Sequence, residues 1–143
     1  MEPWKIQAIL AALFAGLTSV LAKSGMAVLG ADLALGVRTF VVFLFITANI
    51  AFLPNQQSLA MLRQVPGRDL WMLVLSGATA ALSWIFYFRA VRTGTVSYVA
   101  LIDKGSILVT LLLSFLLLKE PITPKVACGA LLILAGILTL TYK

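Results

Sequence analysis

The sequence predicts an all-α integral membrane protein with five transmembrane helices, in a single domain that covers residues 1–143. Hydrophobic residues make up 62% of the chain and charged residues only 11%, whereas soluble domains average about a quarter charged residues. The mean hydropathy is +1.06, and the long segments are apolar on every side, as expected of helices that contact lipid. The predicted helices cover roughly residues 5–27, 33–53, 69–89, 96–118 and 123–142.

The same composition argues against several classes of function. The net charge of +6 comes from basic residues at the ends of apolar segments, where they anchor helices at lipid headgroups and form no face for nucleic acid. With no histidine and a single cysteine, Cys128, the chain offers no ligand set for zinc, haem or an iron–sulfur cluster. We find no nucleophile paired with a base, so we expect neither a cofactor nor an enzyme.

The first helix follows Trp4 and Lys5, a pair typical of the membrane interface. It is uncharged from residue 6 to residue 22, and Lys23 ends the run. A cleaved signal peptide is the alternative interpretation, but four more apolar segments follow and the interfacial residues favour a permanent span. The chain between Lys23 and Asp32 is short and rich in glycine, so the second helix follows closely.

The second helix is expected to begin after Asp32, a residue favoured as an N-cap, and to end at Leu53, before a polar segment. Arg38 then lies about one and a half turns inside this helix. Two interpretations of its charge stay open. Either the side chain extends to the lipid headgroups, or it pairs with Asp103 or with an anionic substrate.

The third helix is expected to begin at Asp69 and to end near Arg89. At about 100° per residue, three of its polar side chains share an arc of about 80° and can line a cavity: Thr79, Ser83 and Tyr87. Trp84 and Tyr87 also lie close to the basic end of the helix. They form either an aromatic belt at the headgroups or a surface on which a substrate stacks.

The fourth helix carries an acid and a base side by side, Asp103 and Lys104, within a run that is otherwise uncharged. Asp103 lies about 10 Å from the helix start at about 1.5 Å per residue, deep in the hydrocarbon layer. Ionisable residues at such a depth usually face a cavity and mark a substrate or proton path. The alternative is an ion-pair network that fixes the positions of the helices.

Further polar residues follow Asp103 along the same helix. Within an arc of about 80° they form one polar face: Asp103, Ser106, Thr110 and Ser114. Because neighbouring residues on a helix point about 100° apart, we expect no direct contact between Asp103 and Lys104. Each charge would then need its own partner on another helix.

Capping residues define the connections on either side of the fourth helix. Gly94 is a natural C-terminal cap and Thr95 a natural N-cap, so the turn from the third helix is expected to be tight. Thr123 and Pro124 supply an N-cap and a first helical residue for the fifth helix. Both ends of the fourth helix are therefore predicted from local sequence.

Five helices place the two chain ends on opposite sides of the membrane, and basic residues then select the orientation. Apart from the intramembrane Lys104, ten basic residues remain, five on each side. One side holds Lys5, Arg63, Arg68, Lys119 and Lys125, and the other holds Lys23, Arg38, Arg89, Arg92 and Lys143. A chain without charge bias is expected to have dual topology, and two oppositely inserted copies form a homodimer like the inverted repeats of secondary transporters.

These features resemble a single EamA domain of the drug/metabolite transporter superfamily, in particular its short five-helix bacterial and archaeal members. The most specific matches are Asp103-Lys104-Gly105-Ser106 in the fourth helix and the aromatic segment from Trp84 to Arg89 in the third. The resemblance covers nearly the whole chain, with matching stretches at residues 13–23, 37–39, 83–90, 102–106 and 118–136.

The resemblance implies a carrier of the inner (plasma) membrane that moves small metabolites such as amino acids, often outward. Longer relatives carry two such domains in inverted orientation, so a single domain is expected to form a dimer. The family often has a proline two residues before the aspartate, where this chain has Leu101, and Gly105 can supply the flexibility instead. Small multidrug-resistance relatives use a glutamate in the first helix, which has no acid here, so their proton-for-cation mechanism does not transfer.

We therefore predict a secondary transporter that works in the lipid bilayer as an antiparallel homodimer and exports a small polar or amphipathic metabolite such as an amino acid. The predicted substrate-binding residues are Asp103, Lys104, Ser106, Arg38, Trp84 and Tyr87. Of these, the basic residues hold an anionic group, the acid holds an amino group or exchanges a proton, and the aromatic residues contact the apolar part. The alternative is a non-transporting membrane subunit of a larger complex, with the intramembrane charges as assembly contacts.

Overall fold

A computed structural model describes residues 2–52 and 65–141 of the chain. Five helices account for nearly all of these residues, and the described parts contain no strand. The helices are α1 (Pro3–Leu29), α2 (Ala31–Phe52), α3 (Gly67–Thr93), α4 (Val96–Leu118) and α5 (Pro124–Thr141). The all-α membrane fold predicted from the sequence is confirmed.

Within the described ranges, four helices are long and apolar enough to cross a membrane. They are α1 to α4, with 27, 22, 27 and 23 residues, and at about 1.5 Å per residue each exceeds a hydrocarbon core of about 30 Å. α5 is shorter, with 18 residues, which is still enough for a span of about 17–25 residues. Large apolar side chains such as Leu13, Phe45 and Leu132 are exposed, as expected where lipid surrounds the helices.

The chain divides into two compact units. The first, Met1–Arg92, contains α1, α2 and α3, and its described core consists of Met26, Ala31, Leu35, Phe88 and Val91. The second, Thr93–Lys143, contains α4 and α5. In this unit Ala130 is buried, and the Tyr98 hydroxyl donates to the carbonyl oxygen of Leu140 at 2.6 Å.

The turn from α1 to α2 is tighter than predicted. α1 continues to Leu29, and Gly30 alone connects it to α2 with a φ of 77°, a conformation that glycine adopts without side-chain strain. Asp32 therefore lies within the first turn of α2. The prediction that Asp32 is the N-cap was wrong, because one glycine completes the whole turn.

Other helix boundaries fall close to the prediction. α3 extends further than residues 69–89, because arginine is a good helix former and the chain meets its first break at Gly94. α4 begins at Val96 and α5 at Pro124, as predicted, and the amide N–H of Val126 donates to Thr123 Oγ1 at 3.4 Å. The predicted ends of the second and fifth helices, at residues 53 and 142, lie outside the described residues.

α4 is not the uninterrupted α-helix that the sequence predicts. Its successive parts are Val96–Asp103, a tight turn, Ser106–Leu113 and a π-helical turn at Ser114–Leu118. In the tight turn the amide N–H groups of Lys104 and Gly105 donate to carbonyl oxygens three residues earlier, at 3.2 and 2.8 Å. Those of Ile107 and Leu108 do the same at 3.1 and 3.0 Å. A tightened stretch inside a helix often marks a functional hinge.

Candidate functional site

The six residues predicted to form the site fall into two groups, one in each unit. Arg38, Trp84 and Tyr87 belong to the first unit, and Asp103, Lys104 and Ser106 belong to the second. Each unit also has a cavity of its own, and a basic residue lines each of them. That residue is Arg38 in the first unit and Lys104 in the second.

Asp103 and Lys104 lie at the tight turn of α4. The Nζ atom of Lys104 is 4.0 Å from Oδ2 of Asp103, at the outer limit of an ion pair. The expectation of no direct contact was wrong, because the flexible four-carbon stem of lysine lets its ammonium group bend toward its neighbour. The Asp103 side chain is 40% exposed and that of Lys104 64% exposed within the chain, so both retain surface for another partner.

Lys104 lines a cavity of about 630 Å³ formed by α4 and α5. The other polar residues of its lining include Ser106 and Thr110 from α4 and Thr139 from α5. The hydroxyls of Thr110 and Thr139 donate within their own helices, at 3.0 and 2.8 Å, which leaves their oxygen lone pairs able to accept from a ligand. An ammonium group and hydroxyl oxygens among aliphatic residues suit a small molecule with polar and apolar parts.

Gly105 makes the tight turn of α4 possible. A Cβ atom at this position would lie 2.9 Å from the carbonyl oxygen of Ile102, which is a steric clash. The break in the helix therefore falls at Gly105, the residue predicted to supply the flexibility that a proline two residues before the aspartate often gives the family. It lies next to the charge pair and places Lys104 at the cavity of the second unit.

Gly105→Ala is expected to destabilise the protein, although alanine is the better helix former by about 1 kcal/mol. The added methyl group must displace the Ile102 carbonyl and so open the turn. The matched control is Gly129→Ala in α5, where a Cβ meets nothing within 4 Å and where we expect a gain of up to about 1 kcal/mol. Thermal unfolding of the purified variants in detergent measures both effects, and equal midpoints would contradict this explanation of the turn.

Arg38 is held by aromatic rings in the first unit. Its guanidinium carbon lies 4.5 Å from the centroid of the Trp84 ring and 5.6 Å from that of Phe88, distances at which cation–π attraction acts. Its Nη1 atom is buried and has no hydrogen-bond partner in the described part of the chain. This arrangement was not predicted from the sequence, and it leaves the N–H groups of Nη1 without a described acceptor.

Arg38 and Phe88 line the cavity of the first unit, which has a volume of about 360 Å³. The rest of the lining comes from α1 and α2 and is mostly aliphatic, with Leu21, Ala22, Leu29, Ala34 and Val37 among its residues. Thr18 also lines it, and its hydroxyl donates to the carbonyl oxygen of Phe14 at 2.7 Å. The cavity therefore combines one charged group with apolar walls.

Tyr87 connects α3 to α1 beside this cavity. Its hydroxyl donates to Ser19 Oγ at 2.7 Å, and Ser19 in turn donates to the carbonyl oxygen of Ala15 at 3.0 Å. The Tyr87 ring lies 6.4 Å from that of Phe88, with their planes inclined at 59°. The polar end of Tyr87 is thus bound to α1, while its ring contacts a residue that lines the cavity.

Two further contacts fasten α3 to the other helices of the first unit. The ammonium group of Lys23 donates to the carbonyl oxygens of Val91 and Arg92 at 2.6 and 2.9 Å, at the helix end where positive charge is favourable. The guanidinium of Arg89 donates to the Asp32 carboxylate at 3.0 and 3.4 Å. The sequence shows these residues only as charges near helix ends, and neither contact was predicted from it. Opposite charges at neighbouring helix ends were the one signal available.

Comparisons with known proteins agree with this architecture. The family described as "EamA-like transporter family" matches residues 3–142. A relative from Sinorhizobium sp, named "Uncharacterized transporter in cobO 3'region", is 37% identical over 139 residues, which are 97% of this chain and 96% of the relative. No solved structure matches the chain significantly.

Proposed function

The chain belongs to the EamA-like transporter family, and we propose that it is a secondary transporter that exports a small polar or amphipathic metabolite such as an amino acid. The family, the relative named as a transporter and the apolar helices make it a multi-pass membrane transporter. We further propose that it works in the inner (plasma) membrane as an antiparallel homodimer. No step of this function calls for an enzyme's nucleophile or for a cofactor.

The interruption of α4 at Lys104 is the observation that carries this proposal. Secondary transporters commonly build their substrate sites from discontinuous helices, because irregular backbone at membrane depth is tolerated only where protein or a cavity surrounds it. An ionisable residue within a membrane segment is costly and marks a functional site by default. The tight turn and the cavity coincide at Lys104, and Asp103, which is not among the lining residues, lies 4.0 Å from its ammonium group.

A zwitterionic substrate suits the charge pair at this turn. Its carboxylate can bind the Lys104 ammonium group and its amino group the Asp103 carboxylate, since Nζ and Oδ2 lie 4.0 Å apart. Ser106 and Thr110 offer hydroxyl groups from the lining of the same cavity. Asp103 is also the acid that can exchange a proton and so couple transport to a gradient.

The predicted residues of the first unit take a related part in this proposal. Arg38 provides a cation for an anionic group, supported by the Trp84 ring at 4.5 Å. Trp84 and Tyr87 provide aromatic surface for the apolar part of the substrate. Neither residue is among those that line the two cavities, but Trp84 contacts Arg38 and the Tyr87 ring lies 6.4 Å from that of Phe88, and both Arg38 and Phe88 line the first cavity.

The proposed antiparallel homodimer is supported by the charge balance and by the number of helices. Five spans leave the chain ends on opposite sides, and the basic residues other than Lys104 divide five to five between those sides, or five to four when Arg38 is left out. Two of these residues, Arg63 and Lys143, lie outside the described residues. A second copy in the opposite orientation supplies the inverted repeat on which alternating access is built.

Purified protein reconstituted alone in liposomes is expected to move solute. Vesicles loaded with a mixture of radiolabelled amino acids should lose label faster than protein-free vesicles, and unlabelled amino acids outside should accelerate the loss by exchange. If the protein is instead a non-transporting subunit of a larger complex, vesicles that contain it should lose label no faster than protein-free vesicles. Recovery of movement only after addition of solubilised membrane proteins would favour that alternative.

A further inference from the structure

Arg38 lines the first unit's cavity without an acidic residue beside it. The lining of the cavity contains no aspartate or glutamate, and neither described salt bridge includes Arg38. Asp32, on the same helix, binds Arg89 at 3.0 Å. Asp69 lies in the first turn of α3, about 28 Å along that helix from Phe88 at 1.5 Å per residue. Within the first unit, the described residues therefore provide no counter-ion for this guanidinium.

Aromatic contacts satisfy only part of the requirements of a half-buried cation such as Arg38. Cation–π attraction acts between the guanidinium and the faces of the rings, whereas the N–H groups point outward in the guanidinium plane. Nη1 is buried and still lacks an acceptor in the described part of the chain, which is unfavourable. An anionic oxygen in the cavity would supply the opposite charge, and it would also supply the acceptor for Nη1 once the guanidinium turns toward it.

We infer that this cavity binds an organic anion with an apolar body, the anionic group at Arg38 and the body between α1, α2 and Phe88. The volume of about 360 Å³ is that of a small-molecule site, and such sites are mostly apolar with a few polar groups that orient the ligand. The inference rests on the proposed function and deepens it, because it gives the substrate class of the first unit. An acidic lipid from the bilayer shares this chemistry with a dissolved carboxylate.

Calorimetric titration of the purified full chain with phenylacetate tests the inference. We expect phenylacetate to bind, and its neutral and cationic analogues, phenylacetamide and phenethylamine, to bind at least about tenfold more weakly. Arg38→Gln is expected to weaken phenylacetate binding at least about tenfold. The matched control is Arg68→Gln, which removes the same charge at the start of α3, outside the cavity lining, and should leave binding unchanged.

A second variant separates loss of binding from loss of folding. Gly25 lines the cavity, and a Cβ there meets nothing within 4 Å, so Gly25→Leu should fill space while the backbone and Arg38 stay in place. We expect it to weaken phenylacetate binding as well. Phenylacetate that fails to bind the wild-type chain, or that binds both cavity variants as tightly as it binds the wild type, would overturn the inference.

Nanodiscs of defined composition distinguish the two sources of the anion. If an acidic lipid occupies the cavity, phenylacetate binding in phosphatidylcholine discs should weaken when phosphatidylglycerol is added, and Arg38→Gln should abolish that competition. If a dissolved carboxylate is the ligand, phosphatidylglycerol should have no effect. If phenylacetate does not bind but amino-acid exchange is intact, this inference alone is overturned. If phenylacetate binds but no amino acid is exchanged, the proposed function alone is overturned.

Discussion

Replacing Lys104 with methionine is expected to abolish transport and to leave membrane insertion intact. Methionine keeps a flexible unbranched chain, so the change removes little more than the charge at the tight turn of α4. A substrate carboxylate in the second unit's cavity then meets no cation from this lining. Loss of a charge-assisted contact, worth about 1.5–3 kcal/mol, lowers affinity roughly tenfold to a hundredfold. Amino-acid exchange in liposomes measures the effect.

The matched control for Lys104→Met is Ser114→Ala. Ser114 lies on the same predicted polar face of α4 but outside the lining of the cavity, so this variant should transport at the wild-type rate. Normal exchange by Lys104→Met would rule out the proposed role of its charge. Loss of exchange in both variants would show that α4 tolerates no polar change at all, and the effect at Lys104 would then carry no information about the substrate.

A double variant tests the structural alternative for the charge pair. If Asp103 and Lys104 only fix the helices, removing both charges together should be nearly neutral, since an ion pair can often be replaced by uncharged residues. Asp103→Asn combined with Lys104→Met would then recover transport relative to Lys104→Met. A substrate site predicts no recovery, because the substrate keeps both of its charges and the double variant lacks both of the groups that would bind them.

The number and order of the helices could be predicted because a membrane imposes strong local rules. Every backbone group must be satisfied within its own helix, so length and apolar composition alone identify a span. Cap residues act just as locally, and Thr123 accepts from the Val126 amide at the start of α5. α4 also begins at Val96 as predicted, although the Thr95 side chain makes no capping hydrogen bond. Gly30 shows the limit of such rules: glycine predicts a turn there, but not that one residue completes it.

The contacts between helices could not be predicted in the same way. Lipid-facing and protein-facing residues are both apolar in this chain, so hydrophobic pattern does not reveal which faces pack. The bond from Lys23 to the carbonyl of Val91 joins residues 68 positions apart. The stacking of Arg38 on Trp84 likewise depends on how α2 and α3 pack.

The candidate site was recognised only where its chemistry is costly. A charge inside a membrane span is costly and therefore indicates a functional position, and Arg38 and Lys104 each line a cavity. Thr139 lines the second cavity too, yet a single threonine in an apolar helix carries no comparable signal because its hydroxyl bonds to its own backbone. The sequence predicted flexibility at Gly105, but not the hydrogen bonds to carbonyl oxygens three residues earlier that form the tight turn.

Wild-type chains are expected to insert in both orientations in roughly equal numbers, because the basic residues other than Lys104 divide five to five between the two sides, or five to four without Arg38. Two reporters fused after Lys143, one active only in the cytoplasm and one only outside it, measure the split. A single orientation would mean that the flanking charges are not equivalent. The partner of opposite orientation would then have to be another chain.

Charge variants should convert this mixed population into single orientations. Glu2→Lys with Glu120→Lys adds two basic residues to the side that holds the N-terminus, and Lys5→Gln with Lys125→Gln removes two from it. The first variant is expected to keep its N-terminus in the cytoplasm and the second its C-terminus. Each variant alone should lose transport, because an antiparallel dimer needs one chain of each orientation.

Co-expression of the two charge variants is expected to restore transport that neither shows alone. The changed residues all lie outside the linings of both cavities, so recovery can come only from the renewed presence of both orientations in one membrane. Adding Lys104→Met to both partners should prevent the recovery, which ties it to the cavity rather than to insertion. If either charge variant transports alone at the wild-type rate, the working form is a parallel dimer or a monomer, and the inverted pair must be abandoned.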